Sequence, residues 1–323
     1  MHSPVKGLCF FMAKKGSKLI GIEQDLNPFS LIIDFLNARK AQGITSFTLS
    51  SLRSALTQFF TAYKGNIRND QKLNQAVTIF LSDKKAGYYN KLLQALRQFF
   101  DYCICEQILK RNPCEGIRFK RETARIVQHD QSVIRALLTL PDQSTFAGLR
   151  DYAFILTMLD TGIRPNELLQ ICIRDVDLIN VQLIVREEYS KTRQMRTLPI
   201  SIQTVQVIKR LIYARHEDWS MDTPVFSSFS GNRLTSHNFQ ERFRQYSKQL
   251  GVNITPYHLR HVFALWFIRN GGNLFALQKI MGHTKLDMTR NYVELVQADI
   301  KASHEKASPL SNIFIRKDVV RKI

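Results

Sequence analysis

Hydrophobic residues recur at helical spacing along the first third of the chain. From about Phe29 to Ile108 they follow the three- and four-residue periodicity of amphipathic helices. Short stretches rich in glycine, lysine or polar residues interrupt this periodicity at residues 43–45, 65–66 and 84–87. The pattern therefore predicts a bundle of about four helices. Because the aromatic residues of its last segment, 89–102, share this helical repeat, we interpret them as core and not as a base-stacking platform.

After about Ser132 the pattern mixes helical and strand-like segments. Helical periodicity is found at residues 134–140, 152–159, 204–215, 238–250 and 257–269. Gly162 is typical of a helix C-cap, and Pro165 is typical of the first turn of the next helix. Two apolar segments, 182–185 and 196–200, flank a polar turn and predict a β-hairpin. The fold class predicted is mainly α, with a small antiparallel β-sheet in the C-terminal domain.

A basic segment without apolar periodicity separates the two patterns. Asn112-Pro113 ends the preceding helix, because the residue before proline avoids the helical conformation. The cations that follow are Arg118, Lys120, Arg121 and Arg125. We interpret this segment as a solvated interdomain linker, whose charges would contact phosphates if the protein binds DNA. The predicted organisation is an N-terminal extension, 1–28, a helical domain, 29–122, a second domain, 123–306, and a C-terminal tail, 307–323.

Length and charge narrow the class of protein. The chain has 323 residues, 44% of them hydrophobic, which is enough for two domains that each bury a core. Lysine and arginine outnumber aspartate and glutamate by 46 to 27, which gives a formal net charge of +19. A polyanion is therefore the expected partner, with nucleic acid first and ribosomes or anionic lipid as alternatives. The net charge alone does not indicate which reaction the protein catalyses.

The cysteines and the apolar segments point to a reducing, membrane-free setting. The five cysteines are an odd number and include no paired CxxC spacing, which is typical of reduced thiols in the cytoplasm. They predict neither a zinc site nor a disulfide framework. The apolar opening at residues 8–12 is too short to span a bilayer, so we predict no membrane anchor.

Candidates for phosphodiester chemistry lie in the second half of the chain. Cleavage without a metal needs a nucleophile, cations that neutralise the charge on phosphorus, and an acid for the leaving oxygen. Residues of these types are Arg164, Lys191, Arg260, His283 and Tyr292. Taken singly, each is more commonly a surface or packing residue than a catalytic one. The prediction that these residues are catalytic therefore depends on their order and spacing along the chain.

This order resembles that of the tyrosine recombinases, the family of phage integrases, Xer-type resolvases and Cre. The segment 161–168 resembles the motif that carries the first catalytic arginine, with Arg164 and the acidic Glu167 at matching positions. The family then has a lysine on a hairpin, an HxxR box, a Gly-His pair, and a tyrosine nine residues after that histidine. The matching residues here are Lys191, Arg260, Gly282, His283 and Tyr292. One position departs from the pattern, because Tyr257 stands where the family commonly has the first histidine of HxxR.

The resemblance implies a role for each matching residue. Arg164 and Arg260 would hold the scissile phosphate with forked hydrogen bonds, and these arginines with His283 would surround the phenol of Tyr292 with a field that favours phenolate. Tyr292 would attack phosphorus and form a 3′-phosphotyrosyl bond, while Lys191 would protonate the leaving 5′-oxygen. We interpret Tyr257 as a hydrogen-bond donor to a nonbridging oxygen. Glu167 and His261 are predicted to support the site, and His261 to order its helix. No metal or other cofactor is predicted.

The resemblance also implies an assembly. The first domain would be a SAM-like, core-binding helical module, and the partner would be double-stranded DNA with an inverted-repeat core site. Two protomers would bind each site and four would form the synapse, with directionality or host factors as accessory partners. The tail would pack on a neighbouring protomer or on its own domain. Two alternatives stay open, a catalytically inactive DNA-binding regulator and a type IB topoisomerase.

Overall fold

A computed structural model describes residues 27–121, 128–190 and 192–284, and also Thr289, Tyr292, His304 and Ser308. The chain divides into two compact units, residues 1–123 and 124–323. The described part has no helix that is long and apolar enough to cross a membrane.

The first unit is a bundle of four helices, as the periodicity predicts. Its helices are α1 (Pro28–Ala41), α2 (Ser46–Ala62), α3 (Asp70–Ser82) and α4 (Ala86–Cys105). The side chains of Asn27 and Thr45 accept hydrogen bonds from the first turns of α1 and α2, which explains where both helices begin. Phe99 and Phe100 of α4 are fully buried, and Phe60 packs edge-on against both of them. The interpretation of the α4 aromatics as core is therefore confirmed.

Lys120, in the basic segment after α4, is held against the bundle. Its backbone exchanges two hydrogen bonds with the Asn90 side chain, at 2.8 and 2.9 Å. Its ammonium donates to the Lys84 carbonyl at 3.1 Å and lies 4.4 Å from the centre of the Tyr89 ring. Lys120 is nevertheless exposed, so this segment stays in contact with solvent although folding holds its ammonium at a carbonyl just after α3.

The other predicted linker cations are less constrained. Arg118 and Arg121 are exposed, which leaves their guanidinium groups accessible to a polyanion. Arg125 lies outside the described residues.

The second unit combines helices with one small sheet. Its helices are α5 (Gln131–Thr139), α6 (Phe146–Thr161), α7 (Pro165–Leu168), α8 (Ile202–Tyr213), α9 (Ser236–Leu250), α10 (Pro256–Arg269) and α11 (Leu274–Met281). Its strands are β1 (Val176–Asp177), β2 (Gln182–Val185) and β3 (Arg196–Pro199), which form an antiparallel sheet in the order β1-β2-β3. The predicted hairpin is confirmed, with Leu183 opposite Leu198. Strand β1 and helix α11 were not predicted, because the two residues of β1 show no alternation and the glycines at 271 and 272 were interpreted as the end of helical structure.

Helix α6 is the central element of this unit and places the candidate site at its end. It packs against α8 and α10, and Phe154 at its middle stacks on Phe239 of α9. Gly162 ends α6 in the left-handed conformation, at φ +58°. A Cβ atom there would lie 2.2 Å from the Phe263 ring of α10, so only glycine lets the two helices approach this closely. The chain that leaves Gly162 reaches Arg164 two residues later.

Candidate active site

Two arginines share one buried carboxylate at the start of α7. Arg164 precedes α7, and its Nη1 donates to Glu167 Oε1 at 2.9 Å. Arg196, the first residue of β3, forms the second salt bridge, through Nη2 to Glu167 Oε2. Burial alone raises the pKa of Glu167, but the bonds to Arg196 and Arg164 outweigh it and hold this pKa below its usual value. Glu167 is therefore ionised at neutral pH and fixes both guanidinium groups.

Arg196 is a site residue that the sequence analysis missed. Besides Glu167 it contacts the end of α11, where its Nε donates to the Ile280 carbonyl at 3.2 Å. It thus joins β3, α7 and α11. Position 196 was predicted only as a strand residue, and the one signal in the sequence is a charged residue at the start of an apolar strand.

Arg260 lies deep in the site, on α10. It is 5% exposed, and its guanidinium donates to the carbonyls of Gly162 at 2.5 Å and Met281 at 2.8 Å. Burial and then the charge of Arg164 lower the pKa of Arg260 to about 10, so the group stays charged at neutral pH. The two carbonyls place the guanidinium between the ends of α6 and α11.

Gly282 and His283 follow α11 and close the site from the other side. Gly282 has φ +61°, and its carbonyl accepts a hydrogen bond from Arg164 at 2.8 Å. A Cβ atom at this position would lie 3.2 Å from Arg196 Cζ and 3.3 Å from Arg164 Nη1. Glycine therefore provides both the turn and the space for two guanidinium groups.

His283 is neutral, and its protonation state can be inferred from its two partners. Its Nε2 lies 2.9 Å from Arg260 Nη2, which can only donate, so Nε2 accepts. The proton then lies on Nδ1, which donates to the Thr289 hydroxyl at 2.8 Å. Burial and then Arg260 lower the pKa of His283 to about 4, in agreement with this assignment. The structure thus shows His283 as an acceptor that orients Arg260, and not as a further positive charge.

The phenol of Tyr292 is bound to the residue that follows Arg260. Its hydroxyl lies 2.7 Å from His261 Nδ1, and its ring packs among apolar side chains that include Leu277 and Met281. The residue is 4% exposed. Burial raises the pKa of Tyr292, and the charge of Arg260 offsets only part of this increase.

These contacts correct one prediction about the phenol and extend another. The predicted phenolate-favouring field is wrong for this structure, because burial outweighs the nearby cation and the phenol is protonated. His261, which was predicted to support the site and to order its helix, also lies within hydrogen-bond distance of the candidate nucleophile, a contact that was not predicted.

Of two other predicted site residues, one makes no hydrogen bond within this cluster and one cannot be placed. Tyr257, in the first turn of α10, is 52% exposed and has no hydrogen-bond partner among the described residues. Its hydroxyl is therefore accessible to a ligand. Lys191 lies outside the described residues, between the hairpin strands β2 and β3.

We expect Arg196→Met to lower the free energy of unfolding at pH 7 by about 2 kcal/mol, because Glu167 loses one of its two salt bridges while it stays buried. Without the Arg196 salt bridge to offset it, burial would raise the pKa of Glu167 in the folded variant. A raised carboxyl pKa contributes stability at low pH that is lost as pH rises through it. Urea unfolding should therefore show a smaller deficit at pH 5 than at pH 7.

The matched control is Arg244→Met, which removes a salt bridge to Glu241 between two exposed side chains on α9. This change should cost no more than about 0.5 kcal/mol at either pH. A deficit in Arg196→Met that stays constant from pH 7 to pH 5 would show that Glu167 is not the affected group.

The sequence that carries this site is similar to sequences of known proteins. The sequence profile of the phage integrase family matches residues 128–298. The tyrosine recombinase XerC of Thermodesulfovibrio yellowstonii is 27% identical over 297 residues, which cover 87% of this chain and 96% of that protein. XerC of Escherichia coli O127:H6 is 30% identical over 220 residues, 67% of this chain and 72% of that protein.

A solved structure shows the same fold. The Tn1549 transposon integrase in complex with transposon right end DNA superposes with a TM-score of 0.70, at 19% identity, over 86% of this chain and 99% of that chain. The family profile begins at residue 128 and ends at 298, so it includes Arg164, Arg260 and Tyr292.

Proposed function

We propose that this protein, which belongs to the phage integrase family of tyrosine recombinases, cuts and rejoins DNA through a covalent 3′-phosphotyrosyl bond that Tyr292 forms. The protein is an enzyme of site-specific DNA recombination. Phosphodiester energy is conserved in the bond between the tyrosine and DNA, so exchange needs no nucleotide hydrolysis.

The observation that carries this proposal is a cluster of three guanidinium groups, two of which share a single carboxylate. Arg164, Arg196 and Arg260 converge on the turn at Gly282, and in the described part of the chain Glu167 is the only carboxylate that forms salt bridges with any of them. The three guanidinium groups and this carboxylate together carry a net charge of +2, and among the described residues Arg260 forms no salt bridge. Buried cations are costly unless an anion offsets them, and a DNA phosphate supplies that charge.

Each side chain suits one part of the reaction. Arg164 and Arg260 donate their remaining N–H groups to the phosphate and stabilise the charge that builds up on phosphorus. Glu167 holds Arg164, and His283 holds Arg260, so both groups are oriented before DNA arrives. Tyr257 donates its exposed hydroxyl to a nonbridging oxygen. Lys191 protonates the leaving 5′-oxygen.

The wider assembly extends this proposal. Residues 29–122 form the core-binding domain, residues 123–306 the catalytic domain, and both bind double-stranded DNA. Arg118 and Arg121 are exposed and contact phosphates. The core site is an inverted repeat, with two protomers on each site and four in the synapse.

The experiment that tests this function is covalent trapping on DNA of unknown sequence. The protein is incubated with sheared genomic DNA, denatured, and the DNA fragments that stay attached to it are sequenced. We expect a small set of sequences with an inverted repeat, joined through their 3′ ends. Relaxation of any supercoiled plasmid by isolated protomers, with trapping at unrelated sequences, would instead indicate a topoisomerase. Specific binding without any covalent product would indicate an inactive regulator.

A further inference from the structure

The partner of the nucleophile is unexpected from the sequence motifs. The family commonly has a histidine at position 257, but this chain has Tyr257, whose phenol cannot accept a proton from another phenol at neutral pH. Four positions along α10, the imidazole of His261 lies 2.7 Å from the Tyr292 hydroxyl. The imidazole that is missing at 257 thus has a counterpart at a different position.

We propose that His261 is a catalytic residue of this enzyme, which takes the proton from the Tyr292 hydroxyl as the phenol oxygen attacks phosphorus. This inference rests on the proposed function, because it needs Tyr292 to be the nucleophile. A proton acceptor must lie within hydrogen-bond distance of the group it deprotonates, and this pair meets the condition in the described structure.

The groups around His261 keep its imidazole neutral, so that it can accept a proton. Charged and titratable groups that act on it are His258 and Arg260 on its own helix, His283 after α11, and Tyr292. Burial, then His258 and Arg260, lower the pKa of His261 to about 4, so the ring is neutral at neutral pH. In the tautomer that carries its proton on Nε2, the lone pair of Nδ1 accepts the hydrogen bond from the phenol.

The same surroundings make His261 a better base once DNA is bound. A phosphate held by Arg260 brings negative charge to the site and reduces the effect of that arginine on the imidazole. The pKa of His261 therefore rises when the scissile phosphate arrives. Proton transfer is thus favoured in the complex and disfavoured without DNA, where a buried phenolate would be costly.

The step balances in atoms and charge. The O–H bond of Tyr292 breaks and its proton passes to Nδ1 of His261, while the phenol oxygen forms a bond to phosphorus. The bond from phosphorus to the 5′-oxygen breaks, and that oxygen takes a proton from Lys191. In rejoining, the steps reverse and His261 returns its proton to the phenol. Because Tyr292 is 4% exposed here, its hydroxyl must become accessible before attack while staying within reach of His261.

The experiment compares three variants of the full-length protein, His261→Ala, His261→Gln and His261→Phe. Covalent complex formation is measured in a single turnover on a nicked substrate that traps the intermediate, between pH 6 and pH 9. Glutamine can accept the hydrogen bond but cannot take up the proton, and phenylalanine fills the space. We expect all three to be slower than wild type at pH 7 by roughly 100-fold, the usual contribution of a general base.

Two readouts separate proton transfer from packing. Added imidazole should accelerate His261→Ala at least several-fold but leave His261→Phe unchanged, because only the alanine variant has room for it. The variants should also become faster as pH rises, since hydroxide replaces the missing base, whereas wild type should level off above the pKa of His261 in the complex. The control is His216→Ala, whose histidine is exposed and pairs with Asp218, and which should keep the wild-type rate without a response to imidazole.

Other outcomes would overturn the inference. If His261→Gln keeps the wild-type rate, or if all three variants lose the same activity without imidazole rescue or a changed pH profile, His261 acts only through packing. Melting temperatures show whether a variant is folded, and the conservative glutamine variant keeps the test decisive if alanine unfolds. Failure of the proposed function would be a different result, in which wild type itself forms no covalent complex.

Discussion

Tyr292→Phe is expected to abolish the covalent protein–DNA complex, with at least a 10,000-fold loss in the rate of cleavage, roughly the scale of removing a catalytic nucleophile. Phenylalanine keeps the ring that packs against Leu277 and Met281 and removes only the hydroxyl. The fold should therefore persist, with a loss of about 1 kcal/mol in the free energy of unfolding for the hydrogen bond to His261. The measurement is a denaturing gel of protein and end-labelled DNA.

The matched control is Tyr257→Phe, which removes a hydroxyl from an exposed ring on α10. We expect it to slow cleavage by about 10-fold while the covalent product still forms, because it removes one of several donors to the phosphate. If Tyr292→Phe formed the covalent product at a comparable rate, a different residue would be the nucleophile and the assignment of Tyr292 would be wrong.

Arg260→Lys is expected to reduce cleavage by about 100- to 1000-fold, the usual effect of removing a preorganised donor at the transition state. Lysine keeps the charge, but a single ammonium cannot reproduce the planar fork that contacts the carbonyls of Gly162 and Met281. It also removes the donor to His283. The measurement is the single-turnover cleavage rate, with noncovalent DNA affinity determined separately on the same substrate.

The matched control for this change is Arg269→Lys, in the last turn of the same helix, where the arginine donates to the Gln128 side chain at 3.3 Å. Because this contact is exposed, the substitution should leave cleavage within about 3-fold of wild type. Equal losses in both variants would mean that position 260 contributes general positive charge and not a specific geometry.

Much of the secondary structure can be predicted from local patterns. The helical repeat predicts the four helices of the first unit, and Gly162 and Pro165 predict where α6 ends and α7 begins. Helix periodicity, caps and turns depend on residues within a few positions of one another, so they can be identified in a linear sequence. For the same reason β1, with two residues, leaves too little pattern to identify.

Only part of the candidate site could be predicted from the sequence. Sequence motifs locate Arg164, Arg260, His283 and Tyr292 because their spacing resembles a known family. Nothing in that spacing indicates that Arg196 shares the Glu167 carboxylate, since the two residues are 29 positions apart and meet only when β3 packs beside α7. The motifs also give no indication that Tyr292 is buried, because its burial depends on how α10 and α11 pack around it.

The amino-acid sequence by itself determined the helical character of both units, the hairpin, the preference for a polyanionic partner and the order of the reactive side chains. Each of these follows from residue type and from spacing along the chain. Only the tertiary structure decided that His261 contacts the phenol, that His283 accepts from Arg260, and that the Lys120 ammonium donates to the Lys84 carbonyl. These contacts join residues 23 to 36 positions apart, and their distances are set by helix packing and burial, which no local pattern encodes.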